Sequence, residues 1–196
     1  MIVQRLPQVH SALFREIYDA RRDTNDSNDL FMFDEGHAPT DAEGGFAYTY
    51  SGDTYQYYAT THSRNSWNNA NARMVSRVHY GSGASADNAR WFNGSARFGD
   101  GYTLFAPLNR ALDVVAHEFT HGVTQTHANL AYQGESGALN EAMSDIFGAL
   151  TEAKVRGVST NTWKIGEDVY TPNTAGDALR YMNNPTQDGR SKDYYP

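Results

Sequence analysis

The chain has 196 residues, long enough for one large domain or two small ones around a buried core without covalent staples. A content of 39% hydrophobic and 20% charged residues is that of a globular protein rather than a disordered one. With 23 acidic against 16 basic residues, a formal charge of −7 and no basic patch, nucleic acid is excluded as the expected partner. No apolar run approaches a membrane span, so no membrane partner is expected. Zero cysteines exclude a disulfide scaffold, a thiol nucleophile and a thiolate metal site. Met1 to Pro7 lacks the charged-then-apolar pattern of a signal peptide. A secreted form would therefore be a processed chain, with signal and pro-segments outside it.

In chain order, residues 21–43 are rich in Asp, Asn, Thr and Gly around Phe31 and Phe33, which reads as loops flanking a short strand. Residues 44–63 hold five tyrosines and one Phe with few charges. Arg73 to Tyr80 has a β-like pattern. Trp91 to Phe98 reads as a hairpin, because Asn93-Gly94 supplies the positive φ angles of a tight turn. Gly99 to Gly101 is a further turn before a short apolar run, Tyr102 to Phe105. After Pro107 the period changes. Leu112, Val115, Ala116, Phe119 and Val123 predict a buried helix over Ala111 to Thr124. A second helix is expected from Ser136, as N-cap, to about Val155, stopped at Gly157. The tail from Asn161 is loop-rich and runs out at Tyr194-Tyr195-Pro196 with no closing signal. The expected architecture is α+β, β-rich first and helical later. The expected layout is a β-rich part over 1–107, metal-binding helices over 108–156 and a loop-rich segment over 157–196, all one unit.

His117-Glu118-Phe119-Thr120-His121 places two imidazoles at i and i+4 on one helix face, where both reach one metal ion. Glu118, beside the first of them, is placed to act as general base on the metal's water. Taken alone, the five residues also fit two surface histidines flanking an acid. Asn140-Glu141-Ala142-Met143-Ser144-Asp145 then puts Glu141 and Asp145 on one face of the next helix. An oxygen ligand from there would complete a two-His, one-Glu zinc site with a position left open for water. Asp145 and Asn140 would accept the second ring N–H of the two histidines. A solvated helix face is the ordinary meaning of such a carboxylate pair, but here both acids sit on an otherwise apolar helix.

The stretch Ala111 to Gly148, carrying both motifs at this separation, resembles the thermolysin family of secreted zinc metalloendopeptidases. The resemblance extends to Val78-His79-Tyr80-Gly81, Asn93-Gly94-Ser95, Phe98-Gly99-Asp100-Gly101 and Ile165 to Pro172, and thins before about residue 70. It implies an extracellular enzyme that cuts a polypeptide substrate internally, before bulky apolar residues. It implies that His117, His121 and Glu141 bind Zn2+, that Glu118 activates the water and that Tyr132 steadies the oxyanion. Asn88 and the backbone of Ala89 would lie on the edge strand that pairs with substrate. Arg180 would hold the substrate carbonyl, and Phe105, Leu108, Val114, Ile165, Val169 and Leu179 would line the leaving-group pocket. Tyr170, Thr171, Thr174 and Asp177 match a family Ca2+ loop. Asp113, Glu152 and Glu167 match three acids of its paired calcium site, with Thr162 and Lys164 where further ligands are acidic. Lys164 is expected to replace part of that lost charge.

The departure from the family lies in length. The family's second, mainly helical lobe carries a His in a Gly-Gly-Val-His type motif, and no such run occurs here. His10, His37, His62, His79 and His127 lack its context. The expectation is an N-terminal lobe with the C-terminal helical lobe absent and with reduced activity, since such a donor is worth on the order of a hundredfold in rate. The other reading is a catalytically weak zinc-binding lobe, or half of a split protease. Apolar surface left bare would favour self-association or a C-terminal lobe partner.

Overall fold

The computed structural model describes residues 13–194. The readings of Met1 to Pro7 and His10, and of the closing Tyr195-Pro196, lie outside the described residues. A five-stranded mixed sheet carries the first half, formed by β1 (Arg15–Asp19), β2 (Leu30–Asp34), β3 (Met74–Val78), β4 (Ala89–Phe92) and β5 (Ser95–Phe98). Its order is β2-β1-β3-β5-β4. β1–β3 and β3–β5 run parallel, while β1–β2 and β4–β5 run antiparallel. The predicted hairpin is β4–β5, with Asn93 at φ 48° and Gly94 at φ 75°. β4 therefore ends the sheet, and one of its edges is paired by no strand among the described residues.

The first half is not only β-rich. Residues Ala42–His62 form a long helix, α1, which crosses between β1 and β3 and packs on both. Asp41 caps its first turn by accepting from the N–H of Gly44, and Ser63 closes it in the left-handed region at φ 51°. Glycine, tyrosine and threonine are poor helix formers, so local preference argues against this helix. Burial of Ala47, Tyr55, Tyr57 and Tyr58 overrides it. Tyr58 reaches Thr120 across a 2.8 Å hydroxyl pair and so ties α1 to the next helix.

That next helix, α2 (Leu112–His127), runs through the middle of the molecule. Residues 111–120 are all buried, so its first turns are enclosed on every side. Leu108, Val114, Val115, Phe119 and Val169 join Met74, Ala96 and Phe98 of the sheet in the main core. The third helix, α3 (Gly134–Arg156), lies against α2. Its N-cap is Gln133, not Ser136: the Ser136 hydroxyl sits within the first turn and donates to the carbonyls of Ala131 and Gln133. Gly157 ends it at φ 86°, as expected. The apolar run Tyr102 to Phe105 forms no strand and makes one bridge, Phe105 with Tyr170. The tail holds a short pair of strands, β6 (Lys164–Ile165) and β7 (Arg180–Tyr181).

Candidate metal centre and its cleft

α2 delivers His117, Glu118 and His121, and α3 delivers Glu141 to meet them. The two Nε2 atoms stand 3.0 Å apart, and each lies 3.3 Å from an oxygen of Glu141. Tetrahedral ligands about 2.0–2.1 Å from a zinc ion stand roughly 3.3 Å from one another, so the two ring nitrogens and the Glu141 carboxylate, which meets His117 through Oε2 and His121 through Oε1, already have ligand spacing. The other ring nitrogens are engaged as expected: His117 Nδ1 meets Asp145 Oδ1 at 2.8 Å, and His121 Nδ1 meets Asn140 Oδ1 at 2.7 Å. With Nδ1–H donated to these oxygens, both Nε2 atoms face the shared point, where a cation that displaces any proton on them would meet their lone pairs. The residues fit a metal ion.

Charge supports the same reading. Burial opposes a charge on His117, yet its contacts with Asp145 and Glu141 lift its pKa to about 10. The carboxyl of Glu141 is pulled far below the usual range, against burial, by His117 and His121. The metal-free cluster thus holds a proton that a cation must displace. Burial lifts the pKa of Glu118, and its Oε2 has no hydrogen-bond partner. A buried carboxylate oxygen with nothing to bond is costly unless a water or substrate proton completes it.

Arg180, from β7, forms a two-pronged pair with Asp145, at 2.6 Å from Nε and 2.7 Å from a terminal nitrogen. Burial opposes its charge, but Asp145 outweighs burial and holds it protonated. Tyr132, on the loop between α2 and α3, is 69% exposed and donates its hydroxyl to Glu141 Oε1. Two neighbours of the cluster were not foreseen. Ser144 lies 3.2 Å from His121 Nδ1, one helical turn beyond Asn140, a spacing that could have revealed it. Trp91 Nε1 donates to Gln125 Oε1 at 2.9 Å, fixing β4 beside α2.

The cluster opens on a cleft of about 930 Å3. Asn88 and Ala89 line it, as do Tyr132 and Arg180. Phe105, Leu108, Val114, Ile165 and Leu179 form its apolar part, but Val169 is fully buried in the core and does not reach it. The Asn88 carbonyl accepts from the N–H of Gly99, on the β5 side. By alternation the backbone groups of Ala89 and Trp91 turn to the free edge, where an extended peptide can pair with them.

The comparisons with known proteins agree. The family model described as thermolysin metallopeptidase, catalytic domain, matches residues 10–125, more than half of the chain. The chain belongs to the thermolysin family of metallopeptidases. Membership implies zinc as the family's metal. The family's alpha-helical domain model matches residues 128–196, which corrects one expectation. The helical lobe is not wholly absent, because α3, with Asn140, Glu141 and Asp145, is its beginning. The chain is 49% identical over 160 residues to a bacillolysin of Bacillus cereus, covering 81% of this chain and 27% of that protein. It is 47% identical over 159 residues to a thermolysin of Alicyclobacillus acidocaldarius subsp. acidocaldarius, covering 81% and 28%. Among solved structures it resembles the precursor of protealysin, a metalloproteinase from Serratia proteamaculans. That match has a TM-score of 0.78 at 35% identity and covers 87% of this chain and 53% of the other. The chain thus spans little more than a quarter of the length of the curated relatives it matches.

The acids assigned by resemblance to calcium also converge. Asp113, Glu152 and Glu167 each bring an oxygen within 4.8 Å of the others, and Glu152 Oε2 and Glu167 Oε2 lack partners. Lys164 does not join them, contrary to expectation. Its ammonium donates to the carbonyl of Gly176 at 3.0 Å, while Thr162 turns back to the N–H of Ser159. The cation at this cluster is Arg156, which bonds Glu152 and, at 2.6 Å, Asp168. In the second loop Thr171 bonds Asp177, the N–H of Thr174 donates to the Thr171 carbonyl, and Asp177 Oδ1 lacks a partner. Tyr170 packs its ring at a tilt against Phe105 beside them.

Proposed function

We propose that this chain carries the catalytic centre of a zinc-dependent endopeptidase that cuts polypeptides before bulky apolar residues. The observation that carries the reading is the ligand spacing of His117, His121 and Glu141 beside an unpartnered, buried Glu118 oxygen. Zinc, when bound there, would supply Lewis acidity to water and to the peptide carbonyl. The chain's own groups do the rest. An extended substrate pairs with Ala89 and Trp91 of β4, and its side chain after the scissile bond enters the apolar part of the cleft. Glu118 takes a proton from the attacking water and returns it to the leaving amine as the C–N bond breaks. The Tyr132 hydroxyl donates to the developing oxyanion. Asn140 and Asp145 hold the two histidine rings, and Arg180, fixed by Asp145, binds a substrate carbonyl.

Ca2+ is the second proposed cofactor, held by Asp113, Glu152 and Glu167, with a further site formed by Tyr170, Thr171, Thr174 and Asp177. An extracellular location follows from the family resemblance. Leu139, Ile146 and Leu150 leave apolar surface exposed along α3, which we expect further polypeptide or a second copy to cover. The test is cleavage of an internally quenched peptide, with product termini read by mass spectrometry. Turnover should vanish on chelation, return with zinc, and leave Leu, Ile or Phe at the new amino terminus. Cleavage that survives chelation would overturn the reading.

A further inference from the structure

One row of side chains crosses the sheet face opposite the helices. Arg77 on β3 pairs in register with Arg97 on β5, and Arg97 with Arg90 on β4. Three like charges side by side on neighbouring strands repel one another unless each is neutralised. The first two are. Arg77 bonds Asp29, and Arg97, only 1% exposed, bonds Asp26. Arg90, at the free edge, has no acidic partner among the described residues, and its guanidinium rests 5.0 Å from the centre of the Phe92 ring. The row therefore ends on an unneutralised cation at the strand that walls the cleft.

The register says what would sit beside it. Ala89 and Trp91 turn their backbone groups to the free edge. A strand added antiparallel there would place one residue directly across from Arg90 in a non-hydrogen-bonded pair, the arrangement that brings side chains closest. Direction along the cleft is also fixed. Asp87 accepts from the N–H groups of Tyr102, Thr103, Leu104 and Phe105, which anchors the start of β4 at the apolar, leaving-group end. Arg90 lies further along, toward the far side of the metal cluster.

We propose that Arg90 is a specificity residue, selecting Asp or Glu at the substrate position across from it, on the amino-terminal side of the scissile bond. The inference rests on the endopeptidase reading. It is tested with quenched peptides in which each residue before the cut bond is in turn Ala, Asp or Lys. The zinc-loaded chain is compared with Arg90→Ala and Arg90→Glu at low and high salt. One position should favour Asp over Lys by about two- to fivefold in kcat/KM. The preference should shrink with salt, vanish in Arg90→Ala and invert in Arg90→Glu. Misfolding lowers all peptides together and cannot produce that inversion. If the Ala peptide is cut but the scan is flat, or Arg90→Ala keeps the preference, the assignment to Arg90 is wrong. If no peptide is cut by the zinc-loaded chain, the endopeptidase reading itself fails, and this one with it.

Discussion

Asp145 bonds His117 on one side and Arg180 on the other, so a single carboxylate sets both a ring orientation and a cleft-lining guanidinium. Burial raises its pKa, and the two cations more than reverse that, leaving it below the usual range. Asp145→Asn keeps the shape but removes the charge. It should weaken zinc binding by roughly 10- to 100-fold in a chelator competition, as losses of such supporting groups do. An unchanged affinity would mean that His117 is held by packing alone. His117, Glu118, His121, Asn140, Glu141 and Asp145 were legible in the sequence because helical spacing fixes which side chains share a face. Tyr132 and Arg180 sit in a loop and a two-residue strand, where no period operates, and were reached only through family resemblance. Arg90 gave no signal, because its meaning depends on which residues lie across from it in the sheet.

The element that makes the centre is the α2–α3 pair, and one glycine sets their distance. A Cβ on Gly148 would lie 2.6 Å from the Asp113 carbonyl oxygen, a backbone atom that cannot move without shifting α2. Gly148→Ala should cost about 1–3 kcal/mol of stability in denaturant unfolding. It should also weaken zinc binding, because His117 and Glu141 ride on the two helices being pushed apart. A stable variant with native zinc affinity would show the contact to be slack. Both these helices were legible, since buried apolar positions recur at helical spacing. α1 was not: its tyrosines, threonines and glycines carry no helical signature, and only packing across β1 and β3 makes it a helix. The short pairing of β6 with β7 was hidden for a related reason, being too brief to show a period.

For the whole molecule, the acids Asp113, Glu152 and Glu167 join the start of α2, the end of α3 and the tail. Burial raises their pKa values to about 6, about 7 and about 8; the N–H groups of Gly166 and Val114 hold Asp113 back and Arg156 holds Glu152 back, while Asp113 pushes Glu152 and Glu167 further up. Each carboxyl binds its proton more tightly folded than unfolded. Without a cation, the stability this contributes is complete below about pH 4 and is lost as pH rises through about 6 to 8. The melting temperature of chelated protein should therefore fall between about pH 5 and about pH 8. Added calcium should raise it, more so at the higher pH, by the equivalent of about 2.7 kcal/mol at a hundredfold excess over Kd. An increment that is equal at both pH values would argue against an ion among these acids.

The central claim is that Glu118 works as the proton carrier beside a zinc ion held by His117, His121 and Glu141. The direct test compares quenched-peptide turnover and zinc content in the wild-type chain and in Glu118→Gln. The account predicts one zinc per chain in both and loss of turnover in the variant alone. Equal turnover in the two proteins would contradict it.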